Sequence, residues 1–217
     1  MKRTFRVLVL TFATVAASFG TTIFDNGTLN NLGASLMSDF LQAEDFSLVS
    51  PSNLTGVTFF SAEASGAYLG TIEWSIRANT AFPFQPGSVI ASGTASSVTR
   101  VNLGTPAGLG GLAAFSNTFS VSVSLATDTY WLVLHNGPNS TLDSSEFYWA
   151  TADSNLTILG KEQSLLPPSS TWDTNSQEHA FLISGNAVTD IPEPATIWTL
   201  SLGAAALWLT KQARNRG

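Results

Sequence analysis

His135 and His179 are the only histidines in a chain of 217 residues that contains no cysteine. Thiolate nucleophiles and Cys metal sites are therefore excluded, and any metal or general-base chemistry must run through these two rings or through carboxylates. Brought together on adjacent strands, with Glu178 or Asp173 nearby, the two histidines would offer a ligand set for a metal. The plainer reading is of two strand-end residues with structural partners. Serines and acids are numerous enough for a Ser-His-Asp arrangement, but no Gly-x-Ser-x-Gly elbow occurs and nothing marks an oxyanion hole. The pairs Glu44/Asp45 and Asp143/Glu146 have the chemistry of glycosidase carboxylates or calcium ligands. Adjacent residues on a strand face opposite ways, so Glu44 and Asp45 diverge unless a bulge intervenes. Asp143-Ser144-Ser145-Glu146 reads as a turn, where acids cap or solvate. No EF-hand loop and no phosphate-binding glycine loop is present. These residues predict no catalytic site, no bound metal and no cofactor.

Aromatic residues are the stronger lead. Trp74, Trp131, Trp149 and Trp172, with Tyr68, Tyr130 and Tyr148, lie in the body of the chain. Trp74 and Trp131 sit in apolar registers and are expected in the core. Trp172 follows Pro167-Pro168 inside a Ser/Thr/Asn-rich stretch and is the tryptophan expected to be exposed, which makes it the candidate ligand contact. Sugar-binding jelly rolls use such rings as stacking platforms, an analogy from fold class alone.

The elements that would position these residues are strands. Phe119-Ser120-Val121-Ser122-Val123-Ser124-Leu125 alternates apolar and polar without a break. Thr71–Arg77 alternates likewise, with Ile72, Trp74 and Ile76 on one face and Glu73 and Arg77 on the other. Tyr130–His135 is nearly continuous apolar and reads as a central strand. Further strands are expected at 45–48, 54–60, 89–95, 146–150 and 180–184. Turn signals separate them at Asp25-Asn26-Gly27, Gln85-Pro86-Gly87 and His135-Asn136-Gly137-Pro138. Segments 102–111 and 166–176 read as loops. Leu29–Phe40, with Leu32, Leu36 and Phe40, carries a weak helical spacing. Many short strands punctuated by Gly/Pro turns predict an all-β fold, an antiparallel β-sandwich of jelly-roll type over residues 21–190.

The two ends are of another kind. Lys2, Arg3 and Arg6 precede an apolar run from Val7 to Ala17, followed by small residues that offer cleavage after Ala17, Ser18 or Gly20. Residues 1–20 thus have the plan of a secretory signal peptide, an N-terminal signal helix too short for a typical span. At the other end, Pro192-Glu193-Pro194 leads into an uncharged run from Ala195 to Thr210, with Trp198 and Trp208 near its two ends and Lys211, Arg214 and Arg216 after it. Sixteen residues at helical rise cover roughly 24 Å, short of a ~30 Å hydrocarbon core, so a transmembrane helix at 195–210 would need local thinning or snorkelling. Tryptophans at both interfaces and a basic cytoplasmic end would anchor it.

This order of triplet, apolar run and basic tail over residues 191–217 resembles the PEP-CTERM sorting signal of Gram-negative bacteria. The resemblance implies export across the inner membrane, processing by an intramembrane enzyme of the exosortase family, and delivery to the cell surface or extracellular matrix. The runs Asp39–Phe46, Leu54–Phe59, Thr71–Ile76, Ile90–Gly93 and Thr129–Leu132 resemble the choice-of-anchor surface domains, over most of residues 24–185. Their motifs are strand patterns, and the likeness implies a surface β-sandwich without a catalytic signature.

Charge agrees with that setting. Six of the nine basic residues lie in the two ends. Fourteen acids against Arg77, Arg100 and Lys161 leave residues 21–190 at about −11. Such a surface repels nucleic acid and anionic headgroups and favours solubility. The sequence therefore predicts a non-enzymatic structural or adhesive surface protein. Its expected partners are the exosortase, the inner membrane and extracellular polysaccharide. The alternative is a carbohydrate-binding module acting on exopolysaccharide.

Overall fold

A computed structural model describes residues 20–138, 145–153, 158–165 and 168–188. The chain divides into a compact unit ending at Asn186 and a second unit, Ala187–Gly217. Among the described residues the fold is all-β. The strands are β1 (Thr21–Asp25), β2 (Ala34–Leu36), β3 (Phe40–Ser47), β4 (Ser52–Glu63), β5 (Ile72–Asn79), β6 (Pro86–Ala95) and β7 (Thr99–Gly104). After a single 3-10 turn at Ala107–Leu109 come β8 (Ala113–Leu125), β9 (Thr129–Asn136), β10 (Phe147–Ala150), β11 (Lys161–Ser164), β12 (Asp173–Thr174) and β13 (Phe181–Ala187).

These strands form two antiparallel sheets. In the seven-stranded sheet the order is β1-β13-β4-β10-β2, with β8 along the other edge of β4 and β7 outside β8. β4 is paired with β8 from Ser52↔Leu125 to Glu63↔Ala113. The six-stranded sheet runs β12-β11-β3-β9-β5-β6. Alternation decides which residues turn inward. Phe119, Val121 and Leu125 of β8 are buried while Ser120, Ser122 and Ser124 are exposed. Inward residues of both sheets meet in one core that includes Phe46, Phe59, Ile72, Ile76, Phe119, Leu132, Leu134, Phe147, Trp149 and Phe181. Trp149 is fully buried, edge-on to Phe59 and Phe181, and its indole N–H donates to the Ala180 carbonyl at 2.9 Å.

A smaller apolar cluster lies on the opposite face of the six-stranded sheet. Leu41, Ala43, Trp131 and Val133 form it, and Ile158, Leu165 and Trp172 cover it. Trp131 is therefore buried as expected, but under a covering segment rather than between the sheets.

β1 and β13 run antiparallel, from Thr21↔Gly185 to Asp25↔Leu182. A Cβ on Gly20 would stand only 2.6 Å from the Gly185 carbonyl oxygen. The chain thus enters and leaves the sheet at one end of this strand pair. The segment from Asn26 to Gly33 and the residues just before β13 lie at the other end, where Asn26 N–H donates to Phe181 O at 2.9 Å.

Three local expectations are corrected. Leu29–Phe40 is not a helix: it is extended chain holding β2 and the start of β3, and Leu32 is 80 % exposed. β7 occupies the first part of the segment read as a loop from 102, and β12 lies within 166–176. β7 escapes notice because it is exposed along nearly its whole length and only Val101 and Leu103 of its residues are large and apolar. No helix among the described residues is long and apolar enough to cross a membrane. The expected signal helix lies outside the described residues, as do Pro192, Glu193, Pro194, the span 195–210 with Trp198 and Trp208, and Lys211, Arg214 and Arg216.

Candidate functional site

Among the places where described residues gather polar side chains, two differ in kind. The first is buried, at the end of the sandwich away from Gly20 and Gly185. β3 turns Gln42 and Glu44 inward, and both are fully buried. Glu44 Oε2 accepts from the backbone N–H of His179 at 2.8 Å and lies 2.8 Å from His179 Nδ1. Glu44 Oε1 accepts from Asp45 N–H at 3.3 Å. Asn175 Nδ2 donates to Gln42 Oε1 at 2.8 Å and lies 3.4 Å from His179 Nε2. Because Asn175 Oδ1 already accepts from Gln177 N–H, the amide nitrogen must face the ring. That assigns Nε2 as acceptor and places the ring proton on Nδ1, toward Glu44. The ring also stacks on Trp149, with centroids 4.7 Å apart.

Burial sets the electrostatics here. It lowers the His179 pKa to about 3, against the raising effect of Glu178 and Glu162, so the ring is neutral. Burial pushes Glu44 well above the usual carboxylate range, opposed by the two backbone N–H groups that it accepts. Asp45 is raised to about 7 by burial and by the charges of Glu44 and Glu178. Glu178 is likewise raised to about 7, by burial first and then by Glu44, with Asn26 and His179 opposing. Its Oε1 is buried without a hydrogen-bond partner among the described residues. Both Glu44 and His179 have 0 % side-chain exposure, so neither has an atom that a substrate could reach.

His135 and His179, candidate co-ligands in the sequence, have separate surroundings. His135 is buried at the end of β9 with Nδ1 2.9 Å from Gly137 O and Nε2 3.2 Å from Ser38 O. Among the described residues no group of three or more His, Asp or Glu side chains is arranged to hold a metal ion. Glu44 and Asp45 diverge as the strand pleat requires: Glu44 pairs with Leu132 of the inter-sheet core and Asp45 with Trp131 of the outer cluster. Glu146 is exposed, and Asp143 lies outside the described residues.

The second place is open to solvent, on the outer face of the six-stranded sheet. A cavity of about 180 Å³ is bounded there by Leu41, Glu73, Ser75, Arg77, Ser92 and Val133, among others. Pairing across three strands builds its floor: Ser75 of β5 lies between Val133 of β9 and Ser92 of β6. Arg77 stands at the side. Its Nε donates to Ser75 Oγ at 3.3 Å, and its guanidinium carbon sits 5.4 Å from the Trp172 ring centroid. Trp172, expected exposed, is half-buried against the outer cluster and reaches the cavity only through Arg77.

Arg77 differs from the other arginine of the body, Arg100. Arg100 is ion-paired with Glu63, donates to Asn117 at 2.8 Å and stacks on Tyr68 and Phe115. Lys161 Nζ donates to Thr174 Oγ1 at 2.5 Å and is exposed to solvent there. Arg77 has no carboxylate partner among the described residues, and burial lowers its pKa. The alternation of β5 places Arg77 on the face opposite Ile72, Trp74 and Ile76. The usable signal was its rarity, one of three bases in an acidic body.

The fold and this face define an all-β protein of two antiparallel sheets with a small polar cavity on one outer face. No family model and no curated protein matches the sequence.

Proposed function

We propose that this chain is an exported surface or extracellular-matrix protein, a jelly-roll-like antiparallel sandwich with a structural or adhesive role and no catalytic activity of its own. It crosses the inner membrane of a Gram-negative cell behind the signal segment 1–20. An exosortase then recognises and processes it at the Pro192-Glu193-Pro194 motif, with the helix 195–210 held in the membrane and Lys211, Arg214 and Arg216 on the cytoplasmic side.

The observation that carries this reading is the ordered succession of triplet, uncharged run with tryptophans near both ends, and basic tail. The geometry of the body supports it. Gly20 and Gly185 are neighbours, so the segments before and after the sandwich leave from one end of the β1–β13 pair. The loops around Asn26 and Glu178 lie at the other end, and seven residues of β13 span roughly 20 Å between them. Cell fractionation tests the reading. The full chain should reach the surface or medium, and replacing Pro192-Glu193-Pro194 with three alanines should leave it in the inner membrane. Equal surface delivery of both forms would refute the role of the motif.

A second reading, a carbohydrate-binding module acting on exopolysaccharide, is favoured by the cavity beside Arg77.

A further inference from the structure

We propose that the outer-face cavity of the six-stranded sheet is a subsite for one carboxylate-bearing sugar unit, with Arg77 as the partner of the carboxylate and Ser75 and Ser92 as partners of ring hydroxyls. This inference deepens the carbohydrate-binding reading and rests on it.

Three observations select the ligand. The first is the unpaired guanidinium. A half-buried Arg with no carboxylate partner among the described residues has its forked terminal donors free of them, and carboxylate is the group that fork matches best. Ser75 accepts from Nε and the Trp172 ring lies 5.4 Å from the guanidinium carbon, so two contacts position the side chain before a ligand arrives.

The second is the size of the space. About 180 Å³ is below the roughly 300–1,000 Å³ typical of pockets for drug-sized ligands, and suits a single ring rather than an oligomer. The third is the mixture of surfaces. Leu41, Val133 and Val89 give an apolar wall for the C–H face of a ring, while Ser75 and Ser92 offer hydroxyls. Glu73 also borders the cavity and accepts from Thr94. A bare anion such as phosphate would meet repulsion from that carboxylate. A sugar acid presents its charge at one corner and hydroxyl donors at another, and can satisfy Arg77 and Glu73 together. Trp172 acts here as a positioning residue for Arg77.

The net negative charge of the domain opposes any polyanion at long range, so binding is short-ranged and needs ordinary salt, where screening sets in at about 8 Å.

The test uses the full chain in detergent at about 0.15 M salt. Titration calorimetry compares D-glucuronate with D-glucose, and retention on immobilised polygalacturonate is compared with retention on dextran. Glucuronate should bind about tenfold or more tightly than glucose. Arg77→Gln should abolish that preference, Arg77→Lys should keep part of it, and Trp172→Phe should keep most of it. Retention on polygalacturonate but not dextran identifies a polymer unit as the source, and binding of free glucuronate alone identifies the monosaccharide. Equal affinity for the two sugars, a preference that survives Arg77→Gln, or no binding of either sugar or polymer by chain with native near-UV dichroism would overturn the proposal. Surface delivery is scored separately. A chain that reaches the surface and binds nothing defeats the sugar-acid site alone, and a chain that binds glucuronate but stays at the inner membrane defeats the export reading alone.

Discussion

Glu44 on β3 and His179 just before β13 are joined by two 2.8 Å contacts to one carboxylate oxygen, one from the backbone N–H and one from the ring, with no side-chain exposure on either residue. This contact ties the six-stranded sheet to the strand pair β1–β13 of the other sheet across 135 residues of sequence. A sandwich whose chemistry-bearing side chains are spent on such a contact uses them for its fold.

Removing the carboxylate leaves two buried donors without an acceptor. Glu44→Ala should therefore cost about 2–6 kcal/mol, at about 1–3 kcal/mol for each buried donor left without an acceptor. Glu44→Gln keeps an acceptor oxygen and should cost well under half as much. Urea unfolding of the two variants checks this, and equal losses would contradict the assigned contact.

The pH dependence of stability has a definite sign. Asp45 and Glu178 have folded pKa values of about 7, above their ordinary values, and Glu44 is also raised. Between about pH 4.5 and 7 the folded state holds protons on these groups that the unfolded chain has lost, so their contribution falls as pH rises through that window. His179 works the other way: with a folded pKa near 3, it adds stability as pH rises from about 3 to 6.5. Three carboxylates against one imidazole give a Tm higher at pH 5 than at pH 8. Asp45→Asn together with Glu178→Gln should flatten the difference; a Tm that climbs steadily from pH 5 to pH 8 would contradict the account.

Gly185 is required by space. A Cβ there would lie 2.6 Å from the Asn53 carbonyl oxygen and 2.8 Å from Ile23 Cδ1. Gly185→Ala should destabilise by about 1–3 kcal/mol, because the close neighbour on one side is backbone and cannot swing away. The shift in urea midpoint measures it.

Trp149 fills the centre of the core. Trp149→Ala should cost about 3–5 kcal/mol, and it also removes one of the two hydrogen bonds to the Ala180 carbonyl, leaving that from Phe60 N–H, and takes away the surface on which His179 stacks. Trp172→Ala, on a half-buried ring of the outer cluster, should cost less than half of that. Comparable losses for the two would mean that the outer cluster matters as much as the core between the sheets.

The alternating runs in β5 and β8 could be read directly, because the pleat writes the core face into every second residue, and the continuous apolar run of β9 could be read because one face lies in the core and the other under the outer cluster. β2, β11 and β12, of two to four residues, are too short to show any period. Leu32, Leu36 and Phe40 have helical spacing by accident: Leu32 points to solvent, while the other two belong to different strands. The inward placement of Gln42 and Glu44 was not legible, since their partners Asn175 and His179 arrive from more than 130 residues away. The same non-locality hid the cavity. Ser75, Ser92 and Val133 come together only through strand pairing, and nothing local marks Arg77 as a base with no ion-pair partner among the described residues.

The central claim is that the chain is sorted and cut at its tail. Intact-mass spectrometry of the mature protein from wild-type cells, beside cells lacking the exosortase, tests it most directly. The account predicts a wild-type product that begins after Ala17, Ser18 or Gly20 and lacks the 195–210 segment and the basic tail, with the tail retained when the exosortase is absent. A wild-type product that still ends at Gly217 would contradict it.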